Sequence, residues 1–329
     1  LLLAGGAGTR LWPLSTEKRP KPFLKLREGR SLLHDAYARV HGICDEEVFV
    51  ATAEQYADLT LSELKTMSSD KLILEPSRRN TGPALLCAAL RFERDGDPVT
   101  VALPADQTVA ADDVFRACLR AAAAIADSEK VLVTLGVVAT RPETDFGYIQ
   151  VNRESALGPG YRVNRFVEKP DRETAERFLS SGGFYWNAGI LVFKPSALLS
   201  EAESACPELL EACRRYDEKW RERNDRAERT AYAAIPSISI DYAVMEKASR
   251  VYCVPFEAGW SDVGTYRALK ELQGVDGAGN LILSDRPVLA VGVTDSVIAS
   301  TEEGTLVLAF SQEGELRGAV EQMEQKGRG

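Results

Sequence analysis

The chain opens LLLAGGAGTRLWPLS, a short apolar strand that runs into Gly5, Gly6 and Gly8 and then Arg10. Glycines after a strand let backbone N–H groups close on an anion that a Cβ would hold away. Neither familiar phosphate loop fits. A P-loop needs Lys-Ser or Lys-Thr after its last glycine, and a dinucleotide turn needs a third glycine that G-A-G-T-R-L, read from Gly6, lacks. In the next stretch Arg10, Lys18, Arg19, Lys21, Lys25, Arg27 and Arg30 are opposed only by Glu17 and Glu28. Such a cluster suits a small polyanion. Further along, Asp106 follows an apolar strand in Leu103-Pro104-Ala105-Asp106, and Asp262 sits in Gly259-Trp260-Ser261-Asp262-Val263-Gly264-Thr265. Two turn carboxylates and a basic glycine loop suit a divalent metal on a polyphosphate, since Mg²⁺ is held by one or two carboxylates plus substrate phosphates. Taken singly, each aspartate reads equally well as a cap or turn residue.

Other chemistries are excluded by what surrounds these residues. The two histidines, His34 and His41, lie near no serine or cysteine that could complete a triad, and G-x-S-x-G is absent. Six cysteines without a C-x-x-C argue against zinc and redox pairs and fit small buried apolar residues in a reducing, cytoplasmic setting. A net charge of −9 argues against nucleic acid and anionic membrane as partners. No apolar run reaches the roughly 20 residues of a membrane span, and the N-terminal apolar residues are too few for a signal peptide.

The elements that must hold these residues alternate. Leu1 to Ala4, Val48 to Thr52, Lys71 to Glu75, Val99 to Leu103 and Val131 to Val138 read as strands, with amphipathic helices at Thr81 to Arg94 and Asp112 to Ala126. The pattern predicts an α/β fold, a Rossmann-like domain on a mostly parallel central sheet. Ligands of such sheets sit at the carboxyl ends of strands, where Gly5 to Arg10, Glu75 to Thr81 and Pro104 to Gln107 fall. Phe146 to Asn152, Tyr161 to Lys169 and Ala188 to Phe193 read as strands of a second sheet region. Ser196 to Arg229 reads as a charged helical stretch broken at Pro207. Asn280 to Leu283, Val288 to Val293, Ser296 to Ser300 and Thr305 to Ala309 read as short strands. The expected domains are 1–270, catalytic, and 271–329, a small C-terminal β unit with a polar helical tail.

Several motifs recur in order: Leu3 to Ser15, Arg19-Pro20-Lys21, Glu75 to Ala84, Leu103 to Asp106, Phe146 to Ile149, Phe166 to Pro170, Trp186 to Gly189, Ser239 to Lys247 and Trp260 to Gly264. Together they resemble the sugar nucleotidyltransferases, and within them the bacterial branch that joins GTP to mannose 1-phosphate. The resemblance implies that Leu3, Gly5, Gly6, Gly8, Thr9 and Arg10 wrap the nucleotide and that Arg10 and Lys21 neutralise the triphosphate and the departing pyrophosphate. It assigns Mg²⁺ to Asp106 and Asp262, and the sugar phosphate to Gly147, Glu168, Lys169 and Asn187. Asn80 and Thr81 fall near the nucleobase, and Thr81 also reads as the N-cap of the following helix. The implied product is GDP-mannose, and a homodimer is one of the assemblies the resemblance allows. Gln107 stands where the family usually has His, and the region after 274 is shorter than the family's left-handed β-helix, so the C-terminal unit is expected to be a shortened version of it. The rival readings are another sugar 1-phosphate, manno-heptose or glucose, and a non-catalytic nucleotide-sugar sensor on the same fold.

Overall fold

Aliphatic and β-branched runs of two to ten residues form one sheet of nine strands in the computed structural model, which describes residues 1–6, 9–27, 29–44 and 47–327. In chain order the strands are β1 (Leu2–Leu3), β2 (Val50–Ala53), β3 (Leu72–Glu75), β4 (Thr100–Pro104), β5 (Leu132–Val138), β6 (Tyr148–Leu157), β7 (Gly160–Val167), β8 (Phe184–Phe193) and β9 (Val251–Phe256). Their spatial order is β3-β2-β1-β4-β8-β5-β9-β7-β6. All of these strands lie in the first of two compact units, made of 1–5, 37–104 and 109–260.

The sheet is mixed, which corrects the expectation of a mostly parallel one. β3, β2, β1 and β4 run parallel, as do β5 and β9. β8 enters reversed and pairs antiparallel with both β4 and β5, and its first residues also pair with β6. β6 and β7 are joined by too few residues to cross over, so they form an antiparallel hairpin. The strands assigned from sequence to a second sheet region therefore belong to the same sheet.

The helices α1 (Thr81–Arg94) and α2 (Asp112–Glu129) follow their expected positions. The charged stretch resolves into α3 (Pro195–Ala205), α4 (Pro207–Arg221) and α5 (Asp225–Ala233). Pro195 and Pro207 each start a helix, where a missing N–H costs nothing. Leu85, Leu86 and Ala89 of α1 pack with Leu198, Ala202, Leu210 and Cys213 in one buried cluster. Tyr232 closes that cluster, its ring edge-on to Tyr216 at 4.8 Å.

The second unit combines 6–36, 105–108 and 261–329. It holds α6 (Tyr266–Gln273), β10 (Leu281–Ser284), β11 (Ser296–Thr301), β12 (Gly304–Ala309) and α7 (Leu316–Gly327). β10 pairs parallel and β12 antiparallel with β11. Leu11, Leu24 and Leu32 from the N-terminal segment pack with Val263, Tyr266, Leu269, Val297 and Phe310. The predicted strand Val288 to Val293 does not form. Leu289 and Val291 are 89% and 79% exposed there, so the alternating apolar residues meet no surface that would reward an extended pairing. Among the described residues no helix is long and apolar enough to cross a membrane.

Candidate active site

In the second unit, three segments distant in sequence meet at one ammonium. Lys21 begins a short 3₁₀ turn after Pro20 and is only 8% exposed. Its Nζ donates to Asp106 Oδ2 at 2.9 Å and to the carbonyl oxygen of Asp262. Asp106 and Asp262 are held near each other by backbone pairing, Thr108 N to Ser261 O at 2.9 Å and Ser261 N to Thr108 O at 3.0 Å. The Asp262 side chain is fixed in turn by Gly264, whose N–H donates to Oδ1 at 3.1 Å. A Cβ on Gly264 would lie 2.4 Å from Asp262 Oδ2, so glycine leaves the carboxylate in the position that this bond gives it. Tyr266, fully buried, donates its hydroxyl to Leu11 O and Trp12 O and so anchors the segment that follows the glycine turn.

Electrostatics at this cluster are unbalanced in favour of a cation. Burial pushes the Asp262 carboxyl above its ordinary value; Lys21, the Gly264 N–H and Arg10 pull it back, while Asp106 pushes the other way. Two carboxylates that oppose each other's charge, with the Lys21 ammonium bonded to one of them and to the other residue's backbone carbonyl, fit a divalent cation, provided further oxygens come from substrate. Among the described residues no set of three or more His, Cys, Asp or Glu offers a protein-only metal cage.

In the first unit, a different set gathers around Gly147. Phe146 stacks edge-on against Trp186 and Trp260, at 5.3 and 5.5 Å. The Asn187 N–H donates to the Gly147 carbonyl at 2.8 Å. A Cβ on Gly147 would lie 2.5 Å from Glu168 Oε2 and 3.3 Å from Asn187 Cβ, so glycine is what admits both side chains. Asn187 is aimed by a register shift in β8 between itself and Leu191. Its Oδ1 accepts from Thr134 Oγ1 and from Gly189 N, both at 3.1 Å, and its Nδ2 donates to Asp241 Oδ1 at 3.0 Å. Lys169 donates to Glu168 Oε1 at 2.5 Å. Burial works to lower the Lys169 ammonium, but the Glu168 carboxylate outweighs it and the net shift is upward.

Lys21, Asp106 and Asp262 are thus brought together, with Arg10 electrostatically linked to Asp262. Gly147, Glu168, Lys169 and Asn187 form a second group. Leu3 is half-buried in β1; Gly5 follows that strand, and a Cβ on it would lie 3.2 Å from Glu75 Oε2. Gly6 has open space on its Cβ side, as a residue meant for close approach of a ligand requires. Gly8 lies outside the described residues, as does the side chain of Thr9. Asn80, not Thr81, caps α1: at φ 69° its Oδ1 accepts from Thr81 N at 2.8 Å. A positive φ turns the asparagine side chain back onto the helix's first N–H, while the Thr81 hydroxyl accepts from Ile240 N at 3.0 Å.

Sequence reasoning passed over two carboxylates. Glu75 ends β3, is 8% exposed and accepts from the Tyr232 hydroxyl at 2.5 Å. Burial raises its carboxyl, and the Tyr232 hydroxyl partly offsets that. Asp241 starts the π-helical turn Asp241–Met245, in which Glu246 N donates to the Asp241 carbonyl five residues back. Both lie in quoted motifs, and an acidic residue closing an apolar run was the signal available. The Lys21 group has the charges to neutralise a polyphosphate and the Gly147 group has the donors and acceptors to hold polar hydroxyls, and neither contains a side chain poised as a nucleophile.

Residues 1–276 match the family model described as Nucleotidyl transferase. A "Mannose-1-phosphate guanylyltransferase" of Escherichia coli is 38% identical, over 100% of this chain and 74% of its own length. The "Xanthan biosynthesis protein XanB" of Xanthomonas campestris is 36% identical, over 100% of this chain and 73% of its own. A solved structure described as a "mannose-1-phosphate geranyltransferase" from Thermus thermophilus superposes with a TM-score of 0.85 at 33% identity, covering 98% of each chain.

Proposed function

The chain belongs to the nucleotidyl transferase family, and from that premise we propose that it transfers the guanylyl group of GTP to mannose 1-phosphate, giving GDP-mannose and pyrophosphate. The observation that carries this reading is the buried Lys21 ammonium, which donates to the Asp106 carboxylate and the Asp262 carbonyl and so holds two half-buried acids at one place. An oxygen of the sugar phosphate attacks the α-phosphorus in line, and the bond to pyrophosphate breaks. That oxygen is already anionic, so no protein nucleophile or general base is required. Catalysis reduces to positioning and charge neutralisation.

Gly5, Gly6 and Gly8 bring backbone N–H groups to the phosphates, and Arg10 and Lys21 offset the charge that develops on pyrophosphate. Asp106 and Asp262 hold Mg²⁺, and their mutual repulsion fits them to it. Bound there, the ion supplies Lewis-acid polarisation of phosphoryl oxygens. Lys169 pairs with the sugar phosphate, and Glu168, Asn187 and the Gly147 backbone hold the sugar. Asn80 and Thr81 border the base through the backbone groups their capping leaves open. In the same reading the reaction is cytoplasmic and the strands after α6 are a shortened β-helix-like unit; the expected boundary at 270/271 would cut α6, and the compact unit that holds these strands also takes 6–36 and 105–108.

Pyrophosphate release tests this directly, with Mg²⁺ and GTP, ATP, dTTP or UTP crossed against mannose, glucose and manno-heptose 1-phosphates. Release confined to GTP with mannose 1-phosphate is expected. Another active pair replaces the substrate and keeps the chemistry; nucleotide-sugar binding without release points to a sensor.

A further inference from the structure

The stretch Ser239 to Lys247 has no role in the proposed reaction, yet its Asp241 faces the sugar group of residues directly. Asp241 is half-buried, and among the described residues its one side-chain hydrogen bond comes from the Asn187 amide at 3.0 Å. That bond changes what Asn187 can do. A side-chain amide has two acceptor sites on oxygen and two N–H donors. Gly189 N uses one acceptor site, Thr134 Oγ1 divides its single proton between the other and the Ile190 carbonyl, both at 3.1 Å, and Asp241 uses one donor, so Asn187 retains a single N–H and only a partly used acceptor. A sugar hydroxyl at this end needs a fuller acceptor elsewhere. Glu168 offers one carboxylate, already engaged at Oε1 by Lys169. Asp241 is the next acceptor.

On the reading that this site takes a sugar 1-phosphate, we infer that Asp241 is a specificity-determining residue, its carboxylate accepting from a ring hydroxyl adjacent to the one that Glu168 holds. The two carboxylates bracket the remaining Asn187 N–H, and that set suits a pair of vicinal hydroxyls, each able to donate to an acid. A site built to bond a hydroxyl rejects the analogue lacking it far more strongly than an apolar pocket rejects a missing methylene, because the polar group is left unpaired.

Protonation supports the assignment. Burial raises the Asp241 carboxyl from 3.8 to about 6, Glu168 adds to the rise, and the Asn187 amide and Lys169 work against it. Glu246 and Tyr242 flank it on its own turn, with Glu246 Oε1 taken by the Glu168 N–H. As pH falls through about 6 the Asp241 carboxylate is therefore replaced by a neutral carboxyl, a weaker acceptor.

The experiment compares wild type with Asp241→Asn at saturating GTP, varying mannose 1-phosphate and its 2-, 3- and 4-deoxy forms. The variant is expected to raise KM for mannose 1-phosphate roughly 10- to 100-fold, with KM for GTP within about twofold. One deoxy form that costs wild type about tenfold or more is expected to cost the variant no more than about twofold. An unchanged sugar KM, an undiminished deoxy penalty, or equal losses in kcat and both KM values overturns the inference. If Asp241→Asn does not fold, the wild-type deoxy penalty is followed from pH 8 to pH 5: shrinkage below about 6 supports the inference and a constant penalty overturns it. A wild type that prefers another sugar 1-phosphate overturns the mannose reading alone, and the same comparison is then run on deoxy forms of that sugar. A wild type silent with every sugar 1-phosphate overturns both.

Discussion

The candidate residues of each unit include a lysine paired with a carboxylate, Lys21 with Asp106 and Lys169 with Glu168, and these two pairs differ in construction. Lys21 is buried and joins residues 85 and 241 positions away, so the cluster exists only when the second unit is folded. Lys169 has a side chain 51% exposed and pairs with its sequence neighbour Glu168. The first arrangement is pre-organised, as neutralising a phosphoryl group demands. The second is solvent-accessible and able to exchange its partner for a ligand's phosphate. Glycines reinforce the difference: Gly264 fixes one carboxylate rigidly, whereas Gly147 makes room for two side chains.

The contrast is broken most severely at Asp262. Asp262→Asn is expected to lower turnover about 10²- to 10³-fold with KM for the sugar phosphate little changed, read by pyrophosphate release. A loss under tenfold would remove Asp262 from charge neutralisation. The next largest effect concerns stability at the sugar group. Asp241 is raised from 3.8 to about 6 in the fold. Below the unfolded value it is protonated in both states and costs nothing; above about 6 the fold carries the full cost of the charge. Asp241→Asn is therefore expected to unfold later in urea at pH 7.5, by up to about 3 kcal/mol, with the gain vanishing toward pH 4. Equal stabilities at every pH would mean that the charge is not desolvated.

Smaller effects sharpen the same comparison. Gly147→Ala forces Glu168 and Asn187 aside and is expected to raise the sugar phosphate KM about tenfold, leaving KM for GTP within about twofold. Equal changes in both constants would mean that Gly147 serves the fold rather than the sugar. Tyr232→Phe removes the hydroxyl donated to Glu75, and a loss of about 1 kcal/mol in equilibrium unfolding is expected. A neutral result would show that Glu75 is protonated and finds another partner.

Much of this was readable in the linear chain. Strands and helices of the first unit follow from apolar runs and periodicity, because burial of one face is a local property of residue order. Lys21, Asp106 and Asp262, which the fold brings together, stood out in the chain as a basic cluster and two turn carboxylates taken as a set, although singly each aspartate reads as a cap or turn residue. Strand direction was not. Whether β8 enters parallel or reversed depends on which edge it meets, and nothing within Phe184 to Phe193 records that. The failed strand Val288 to Val293 shows the same limit, since alternation predicts pairing only if a surface is there to receive it.

The sequence by itself determined which residues carry charge and which turns leave backbone exposed, since these depend on side-chain chemistry and spacing. Tertiary structure alone decided which acids share a cation and which hydrogen-bond sites are already spent. From the chain, Asn187 entered only through the family resemblance, as one of the residues for the sugar phosphate. Only folding brings Thr134, Gly189 and Asp241 onto it, so that most of its hydrogen-bonding capacity is already spent and a carboxylate 54 residues away stands beside it.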